Sequence, residues 1–514
     1  MDRKWWTLVA VCTARFMLLL DITIVNVALP SIERDLGADL ADLQWVVDAY
    51  ALTLAALLLT GGSLADRVGR RRVFLIGLVA FTIASILCGL ATSPLTLNLA
   101  RALQGIGGAF MFATSLALLA SAYQGRDRGT AFGLWGATTG AAVAVGPLVG
   151  GVLTEGIGWE AIFFVNVPIG IVAVALTLAR VEESKNPHAS PLDWPGTVLF
   201  SAALFLLIFG LIRGNAEGWS SAPIVASLAG AAALMGAFVL VELRRRHDAM
   251  LDLSLFRVRS FNGASLAAFV LSASMFAMFL YLTLYIQNIL GYSALESGIR
   301  FMPVTLLSFI VAPVSGKLAG RFGVRWFIAG GLVLVGAGLL LMGGLQAGDD
   351  WTALLAGFMV AGGGIGMVNP ALATAAVGVV DPRRSGMASG INSTFRQVGI
   401  ATGIAAWGAL FQHVVRDEFV KGATRAGLQG AQQRGGQVAD FIAFGGARRS
   451  GNPQLARLGE QAFVAGLNHL LLLAGLLALA GAALCALLIQ PADFAAAHAP
   501  APEPVGSRAA SASA

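Results

Sequence analysis

Long apolar runs, each of roughly the twenty residues that a helix needs to cross a bilayer, recur along nearly the whole of this 514-residue chain. Inside hydrocarbon no water can satisfy a backbone N–H or C=O. Each run must therefore be a helix or a strand of a closed barrel. Barrel strands alternate apolar and polar residues, and these runs do not. The chain is read as an all-α integral membrane protein. Fourteen segments are expected, near 7–29, 43–64, 73–92, 95–121, 130–153, 161–180, 194–213, 222–242, 260–288, 297–316, 325–345, 351–379, 387–412 and 465–489. Charged residues make up only 12% of the chain, well below what a soluble chain of this length carries.

The position of the charges sets the orientation. With the N-terminus in the cytoplasm, most of the 34 Lys and Arg fall in inner loops and tails, and only Arg34, Arg213 and Arg300 fall in short outer loops. That bias places both termini inside. The net charge of +6 is then a matter of topology and not of nucleic-acid binding. Arg far outnumbers Lys, and Ala and Gly are abundant. This is the composition of a GC-rich bacterial genome, so the expected membrane is the bacterial inner (cytoplasmic) membrane. Cys12, Cys88 and Cys485 all lie inside spans and read as small packing residues, not metal ligands or disulfides. The first run contains Asp21 and ends in Ala28-Leu29-Pro30 with no small-x-small cleavage site, so it is read as a retained helix.

Between the second and third segments lies Gly61-Gly62-Ser63-Leu64-Ala65-Asp66-Arg67-Val68-Gly69-Arg70-Arg71-Arg72. Glycines allow close approach of the helix ends. Asp66 offers its neighbouring arginines a salt-bridge partner, or a helix N-terminus a negative charge. A plain stop-transfer loop needs only the arginines. The stretch from Gly62 to Arg71 returns, altered, as Gly316 to Arg325, 254 residues on. Gly129-x-Ala131-x-Gly133 returns as Gly386-x-Ala388-x-Gly390 at an offset of 257. Gly320 stands where the first copy has Asp66. Two echoes at nearly one offset argue for duplicated six-helix halves. The expected domains are a six-helix bundle over 1–185, two inserted helices over 186–258, and a second six-helix bundle over 259–490 with a long outer segment at 413–464, read by default as a solvated loop with short amphipathic helices as the alternative. A disordered tail is expected over 491–514.

Charged residues inside spans are costly, roughly 2.5–3.5 kcal/mol each on insertion scales. Asp21 lies mid-helix with no packing reason, and burial favours its protonation, which suits a proton carrier. Arg101, followed by Gln104 and Gly105, needs an intramembrane partner. Asp48 is a second acid, either part of the same layer or facing water near the outer end. At ~1.5 Å per residue, Asp21, Asp48 and Arg101 lie ~12, ~8 and ~9 Å below the outer border, so a shared layer is expected. Arg396 is read either as part of the substrate path or as a cap for helix carbonyls. Arg15, nearer the cytoplasm, is read as structural. Asn369, Asn392 and Gln287 read as glue between helices. In the fifth segment Gly146, Pro147, Gly150 and Gly151 combine close packing with a proline bend.

These motifs together carry a family resemblance. The 61–72 loop resembles the signature G-x-L-A-D-R-x-G-R-[RK] of the major facilitator superfamily, with Gly62, Asp66, Arg67, Gly69, Arg70 and Arg71 at the matching places. Gly146-Pro147-x-x-Gly150-Gly151 looks like the superfamily's antiporter signature. Leu20-Asp21-x-Thr23-Ile24-Val25-Asn26-x-Ala28-Leu29-Pro30, Asn166-Val167-Pro168 and Ala388-Ser389-Gly390…Arg396-Gln397 resemble the fourteen-helix drug:proton antiporters of the QacA/EmrB type. The chain departs from that pattern at Trp159-Glu160, where an arginine is usual, and at Ala142, where glycine is common. Residues 301–316 lack the acid that some exporters of divalent cations carry.

The resemblance implies a major facilitator fold of fourteen helices. It implies a proton-driven antiporter that expels small lipophilic drugs by alternating access, embedded in a lipid bilayer and needing no cofactor. Asp21 would exchange the proton, Arg101 would tune it and the 61–72 loop would latch one state. Export of an endogenous metabolite or lipid is the nearest alternative. A non-transporting receptor or scaffold is a more distant one, against which Asp21, Arg101 and the span-five signature argue. No H-E-x-x-H, phosphate loop or nucleophile motif occurs, so neither ATP-driven transport nor enzymatic catalysis is expected.

Overall fold

A computed structural model describes residues 3–123, 126–185, 193–245, 251, 253–380, 385–426, 441–443, 445–446 and 451–497. Fourteen long helices follow the expected segments in order. They are α1 Arg3–Leu36, α2 Leu40–Val68, α3 Arg70–Gly89, α4 Pro94–Ala122, α5 Arg126–Gly156 and α6, which is broken into Ala161–Phe164 and Asn166–Arg180. After them come α7 Trp194–Glu217, α8 Ala222–Arg245, α9 Arg259–Ile289, α10 Ala294–Phe322, α11 Val324–Leu341, α12 Leu355–Gly378, α13 Ser385–Arg425 and α14 Pro453–Leu488. Thirteen of the described stretches are long and apolar enough to cross a membrane, and α5 is a helix at the place of the remaining segment. Large apolar side chains such as Ile76, Ile83 and Leu87 on α3, and Ile310 and Val314 on α10, face outward. An apolar outer surface on apolar helices is what a lipid surround requires.

The helix ends follow local chemistry. Asp39 and Ser93 close reciprocal capping boxes at the starts of α2 and α4, and Ser293 does so for α10, which satisfies N–H groups left open by the first turn. Gly69 joins α2 to α3 at φ 128°, and Gly323 joins α10 to α11 at φ 94°, the left-handed region that glycine tolerates. The two glycines are 254 positions apart, the offset of the loop echo.

The same offsets govern helix crossings. A Cβ on Gly107 of α4 would lie 2.5 Å from the backbone N of Phe81 on α3, and one on Gly77 would lie 2.8 Å from the Gly107 carbonyl. On α11 and α12, a Cβ on Gly331 would lie 2.9 Å from the Gly364 carbonyl. Gly77 and Gly331 are 254 apart, and Gly107 and Gly364 are 257 apart. Both crossings are thus backbone against backbone, as small residues allow in lipid.

The inserted pair attaches through α7. Thr60 of α2 and Thr197 of α7 share a 2.7 Å hydrogen bond, the Trp45 and Phe205 rings lie 5.8 Å apart, and Asn215 reaches the Ala409 carbonyl and Gln412 of α13. α7 therefore leans on α2 and α13, while α8 packs against α7.

Two expectations change. The segment 413–464 is not simply a solvated loop, because α13 continues to Arg425 and α14 begins at Pro453. The apolar spacing of Val415, Phe419 and Ala423 gives the extension a buried face. Ile442 and Ala443 are also buried, and Asn288 at the end of α9 donates to the Ala443 carbonyl at 3.1 Å. The expected tail begins as a further short helix, Pro491–Ala497. Proline at its start and the alanines favour it, and its Asp493 accepts from the Ser260 N–H at 3.0 Å. Residues 498–514 lie outside the described residues.

The α3–α4 crossing sets the first test. Gly107→Leu should destabilise the protein by about 1–3 kcal/mol through backbone overpacking, read as a lower melting temperature of the detergent-purified protein. Gly62→Ala, at a position with nothing within 4 Å of a new Cβ, should melt like the wild type.

Candidate functional site

Asp21 and Arg101 meet. The Arg101 guanidinium donates through NH1 to Asp21 Oδ2 at 2.5 Å and to Gln104 Oε1 at 2.7 Å, and through Nε to the Val46 carbonyl of α2 at 3.0 Å. Gln104 Nε2 donates to Asp21 Oδ1 at 2.8 Å and to Ser85 Oγ of α3 at 3.2 Å. Asn166 Nδ2, at the break in α6, donates to Asp21 Oδ1 at 3.1 Å and to Ser85 Oγ at 3.0 Å. Tyr50 lies under the guanidinium, with its ring centroid 4.3 Å away. The pair is sealed from solvent, at 1% and 0% side-chain exposure. Such a pair needs hydrogen bonds for its remaining lone pairs and protons: Gln104 and Asn166 donate to Asp21, and the Val46 carbonyl and Gln104 Oε1 accept from Arg101, while Asn166 Oδ1 is buried without a hydrogen-bond partner among the described residues. Ser85, Asn166 and Tyr50 were not among the expected site residues. Asn166 stands in a quoted motif; Ser85 and Tyr50 carry no signal beyond being polar in an apolar run.

Asp48 is not part of that layer. It is 0% exposed, so it does not face water, and neither carboxylate oxygen has a hydrogen-bond partner among the described residues. Helical spacing explains the split. Tyr50 turns toward Arg101 on α4, and Asp48, two residues away, falls on the opposite face of α2. One turn from Asp48, Gln44 Nε2 donates to Tyr281 Oη of α9 at 3.1 Å and to the Ile404 carbonyl of α13 at 3.2 Å. Tyr281 Oη donates to that same carbonyl at 2.7 Å. Asp48 thus belongs to the face of α2 that meets α9 and α13.

A mainly apolar cavity lies close by, lined from α1 by Ile22, Thr23 and Asn26, from α9 and α10 by Phe276, Phe279 and Phe301, and from α13 by Ile400 and Ile404. Pro147 of α5 also lines it. The glycines beside Pro147 are where α5 touches two neighbours. Gly146 abuts Thr23 Oγ1, a Cβ on Gly150 would lie 2.9 Å from the Ile24 carbonyl, and one on Gly151 would lie 2.6 Å from the Leu295 Cα of α10. The Glu155 carboxylate accepts from the Leu295 N–H at 3.1 Å. On the cavity side of α9 the helix is wound as a π-helix over Ser272–Phe276, and again over Tyr285–Ile289. Gln287 bonds across to the Val27 carbonyl of α1 at 2.8 Å.

The 61–72 stretch, expected as a loop, is helical except at Gly69, because α2 runs on to Val68 and α3 starts at Arg70; it lies at the other end of the bundle from those α5 and α10 contacts. Arg70 Nε donates to Asp66 Oδ1 at 2.9 Å. The negative charge at the start of α3 comes from Glu183, which accepts from the N–H groups of Arg71 at 3.1 Å and Arg72 at 3.3 Å. A Cβ on Gly69 would sit 2.6 Å from that carboxyl carbon, a second reason for glycine there. Arg71 donates to the Leu178 carbonyl at 2.7 Å, so the loop is clasped to the end of α6. Arg67 is exposed. At Gly62 no atom comes within 4 Å of a Cβ, so close approach does not require that glycine.

Arg396 makes no hydrogen bond or ion pair with the described residues, so the carbonyl-capping alternative is not observed there. Arg15 lies with its guanidinium 3.4 Å from the Trp135 ring centroid and 4.9 Å from that of Phe112.

Because Asp21 neutralises Arg101 inside a dry core, Asp21→Asn should cost about 3–5 kcal/mol, lowering folded yield. The double variant Asp21→Asn/Arg101→Gln should recover most of that stability without recovering transport. A cycle of melting temperatures for the four proteins checks the coupling.

Comparison with known proteins places this arrangement. Residues 11–404 match the family described as Major Facilitator Superfamily. The chain is similar to the multidrug resistance protein Stp of Mycobacterium tuberculosis, with 38% identity over 406 residues, 79% of this chain and 75% of the relative. It is similar to the tetracenomycin C resistance and export protein of Streptomyces glaucescens, with 33% identity over 491 residues, 94% of this chain and 91% of the relative. Among solved structures it resembles a bacterial homolog of the human lysosomal transporter Spinster, inward-facing and unoccupied. The TM-score is 0.64 at 18% identity, covering 97% of this chain and 99% of that one, a likeness of fold. By its helices, its signature motifs and these relatives, the chain belongs to the major facilitator superfamily, among its drug-resistance and drug-export proteins.

Proposed function

We propose that this protein expels small lipophilic compounds, drugs and antibiotics among them, from a bacterial cell in exchange for protons. It works by alternating access of two six-helix halves in the cytoplasmic membrane, with both termini and the 61–72 loop on the cytoplasmic side. The observation that carries the proton assignment is a pair of buried carboxylates on either side of α2, Asp21 of α1 by one face and Asp48 of α2 itself on the other. Asp21 accepts from Arg101, Gln104 and Asn166, while Asp48 is buried with no hydrogen-bond partner among the described residues. An ionised carboxylate in that position carries an uncompensated desolvation cost, and the neutral acid does not. Asp48 therefore holds the proton in this conformation. Asp21 stays paired with Arg101 until movement of α2, whose Val46 carbonyl also holds Arg101, loosens the pair. Gln44 and Tyr281 tie the same face of α2 to α9 and α13, so a proton gained or lost at Asp48 acts directly on the contact between halves.

The substrate lies in the cavity bounded by Phe276, Phe279 and Phe301, whose walls suit lipophilic molecules. The antiporter signature sets how α5 approaches α1 and α10. The Asp66–Arg70 pair and the Glu183 clasp hold the cytoplasmic-facing loop in one state. Export of a self-made metabolite is the second reading. It is favoured by the Streptomyces glaucescens relative, which is named for resistance and export together.

The test is transport by purified protein in liposomes under an imposed pH gradient. Asp48→Asn should reduce gradient-driven efflux by about tenfold or more, with the melting temperature near wild type because no partner is lost. Gradient-driven efflux at the wild-type rate in that variant would refute the assignment. Asp66→Ala should slow every substrate by a similar factor, and loss of one substrate with full retention of another would contradict a latch.

A further inference from the structure

The hydroxyl groups that line the apolar cavity have already spent their hydrogens. Thr23 Oγ1 donates to the Leu19 and Leu20 carbonyls of its own helix at 3.2 and 3.0 Å, and its oxygen is covered by Gly146. Thr305 is buried, and its Oγ1 donates to the Phe301 and Met302 carbonyls at 3.3 Å. Asn26 differs. Its Nδ2 donates to the Ile22 carbonyl at 3.2 Å. A carbonyl only accepts, so this bond fixes which end of the amide is nitrogen. Asn26 Oδ1 then points away from its own helix, and no described residue donates to it. Asn26 is partly exposed and lines the cavity. No charged side chain lines that cavity among the described residues. Across from α1 stands a continuous aromatic wall, with the Phe276 and Phe279 rings 6.1 Å apart and those of Phe279 and Phe301 5.4 Å apart.

An unanswered acceptor in an apolar space favours a ligand that brings the missing hydrogen, and disfavours one that brings only another lone pair. A net charge there would meet no counter-charge. Resting on the export reading above, we infer that this cavity selects neutral aromatic molecules that carry a hydroxyl group. The O–H donates to Asn26 Oδ1, and the rings lie on the wall of Phe276, Phe279 and Phe301. Asn26 belongs to the first half of the chain and the phenylalanines to the second, so a substrate bound this way bridges α1 to α9 and α10. Gln287, which donates to the Val27 carbonyl at 2.8 Å, holds α9 against α1 beside Asn26. The residue thus sets specificity by supplying the polar contact that its apolar surroundings lack.

The experiment uses three related probes. They are 9-anthracenemethanol, 9-ethylanthracene, in which a methyl replaces the hydroxyl, and 9-(methoxymethyl)anthracene, which keeps the oxygen but has no hydrogen to give. Binding to the detergent-purified full chain is followed by energy transfer from tryptophan to the probe, with each probe's partition into empty micelles subtracted. The wild type should bind the alcohol about fivefold more tightly than either analogue, the worth of one net hydrogen bond. Asn26→Leu and Asn26→Met give up only a bond within α1. Each should erase the preference and leave the ethyl compound within about twofold of its wild-type affinity. Wild-type protein that binds the ethyl compound as tightly as the alcohol would overturn the inference. Alcohol and ether binding alike, both above the ethyl compound, would put the amide N–H at the substrate and overturn it too. So would a folded variant that keeps the preference or weakens all three probes equally. Liposomes under a pH gradient separate this from the export reading. Movement of all three probes at one rate, with equal binding, overturns the hydroxyl assignment alone. Movement of none, with the preference in binding intact, overturns export and leaves the Asn26 site standing.

Discussion

The bond between Arg101 and Asp21 organises the first half of the molecule. A charge pair in a dry interior depends on hydrogen bonds to its remaining donors and acceptors, because an unanswered buried polar group is costly. Here the answers come from different helices: Asp21 from α1, the Val46 carbonyl from α2, Ser85 from α3, Arg101 and Gln104 from α4, and Asn166 from α6. Five helices are thereby fixed at one point. The backbone-close crossing of α3 on α4 at Gly77 and Gly107 holds Ser85 within reach. α5, which contributes nothing to the network, is free to lie against both α1 and α10.

α2 acts as a partition between two polar environments. One face carries Tyr50 and the Val46 carbonyl toward the charge pair, and the other carries Gln44 and Asp48 toward α9 and α13. Motion of this one helix changes the solvation of one carboxylate and the hydrogen bonding of the other together. Under the proposed function, a helix that alternates every two residues between charge pair and domain contact is what would link proton state to shape without a long relay.

Much of this was legible in the sequence. Fourteen apolar runs gave the helices, and the cost of charge in lipid singled out Asp21 and Arg101. Depth along a helix was readable from residue counts, but azimuth was not. Asp48 was grouped with the other two because ~1.5 Å per residue fixes height and says nothing of facing; Tyr50, two residues on, claims the α4 side. Glu183 stayed hidden because its role depends on the fold returning residue 183 to residue 69. The 413–464 segment misled because its Gly, Gln and Arg content is polar on average, while Val415 and Phe419 continue a buried stripe through it.

The 41 residues of α13 make a rod of about 60 Å at 1.5 Å per residue, roughly twice the thickness of a hydrocarbon core. One rigid body therefore carries Arg396, the Ile404 carbonyl that receives Gln44 and Tyr281, and a long stretch beyond the membrane ending at Arg425. The part beyond the membrane is not a free end: Val415, Phe419 and Ala423 are buried, and α14 packs along α13, with Gly466 against Val415 and Gly422 against Leu458. A shift of α13 at its contact with α2 is therefore shared with α14 along a length greater than the bilayer, so a load on the α13–α14 pair outside the membrane is felt at the buried contact.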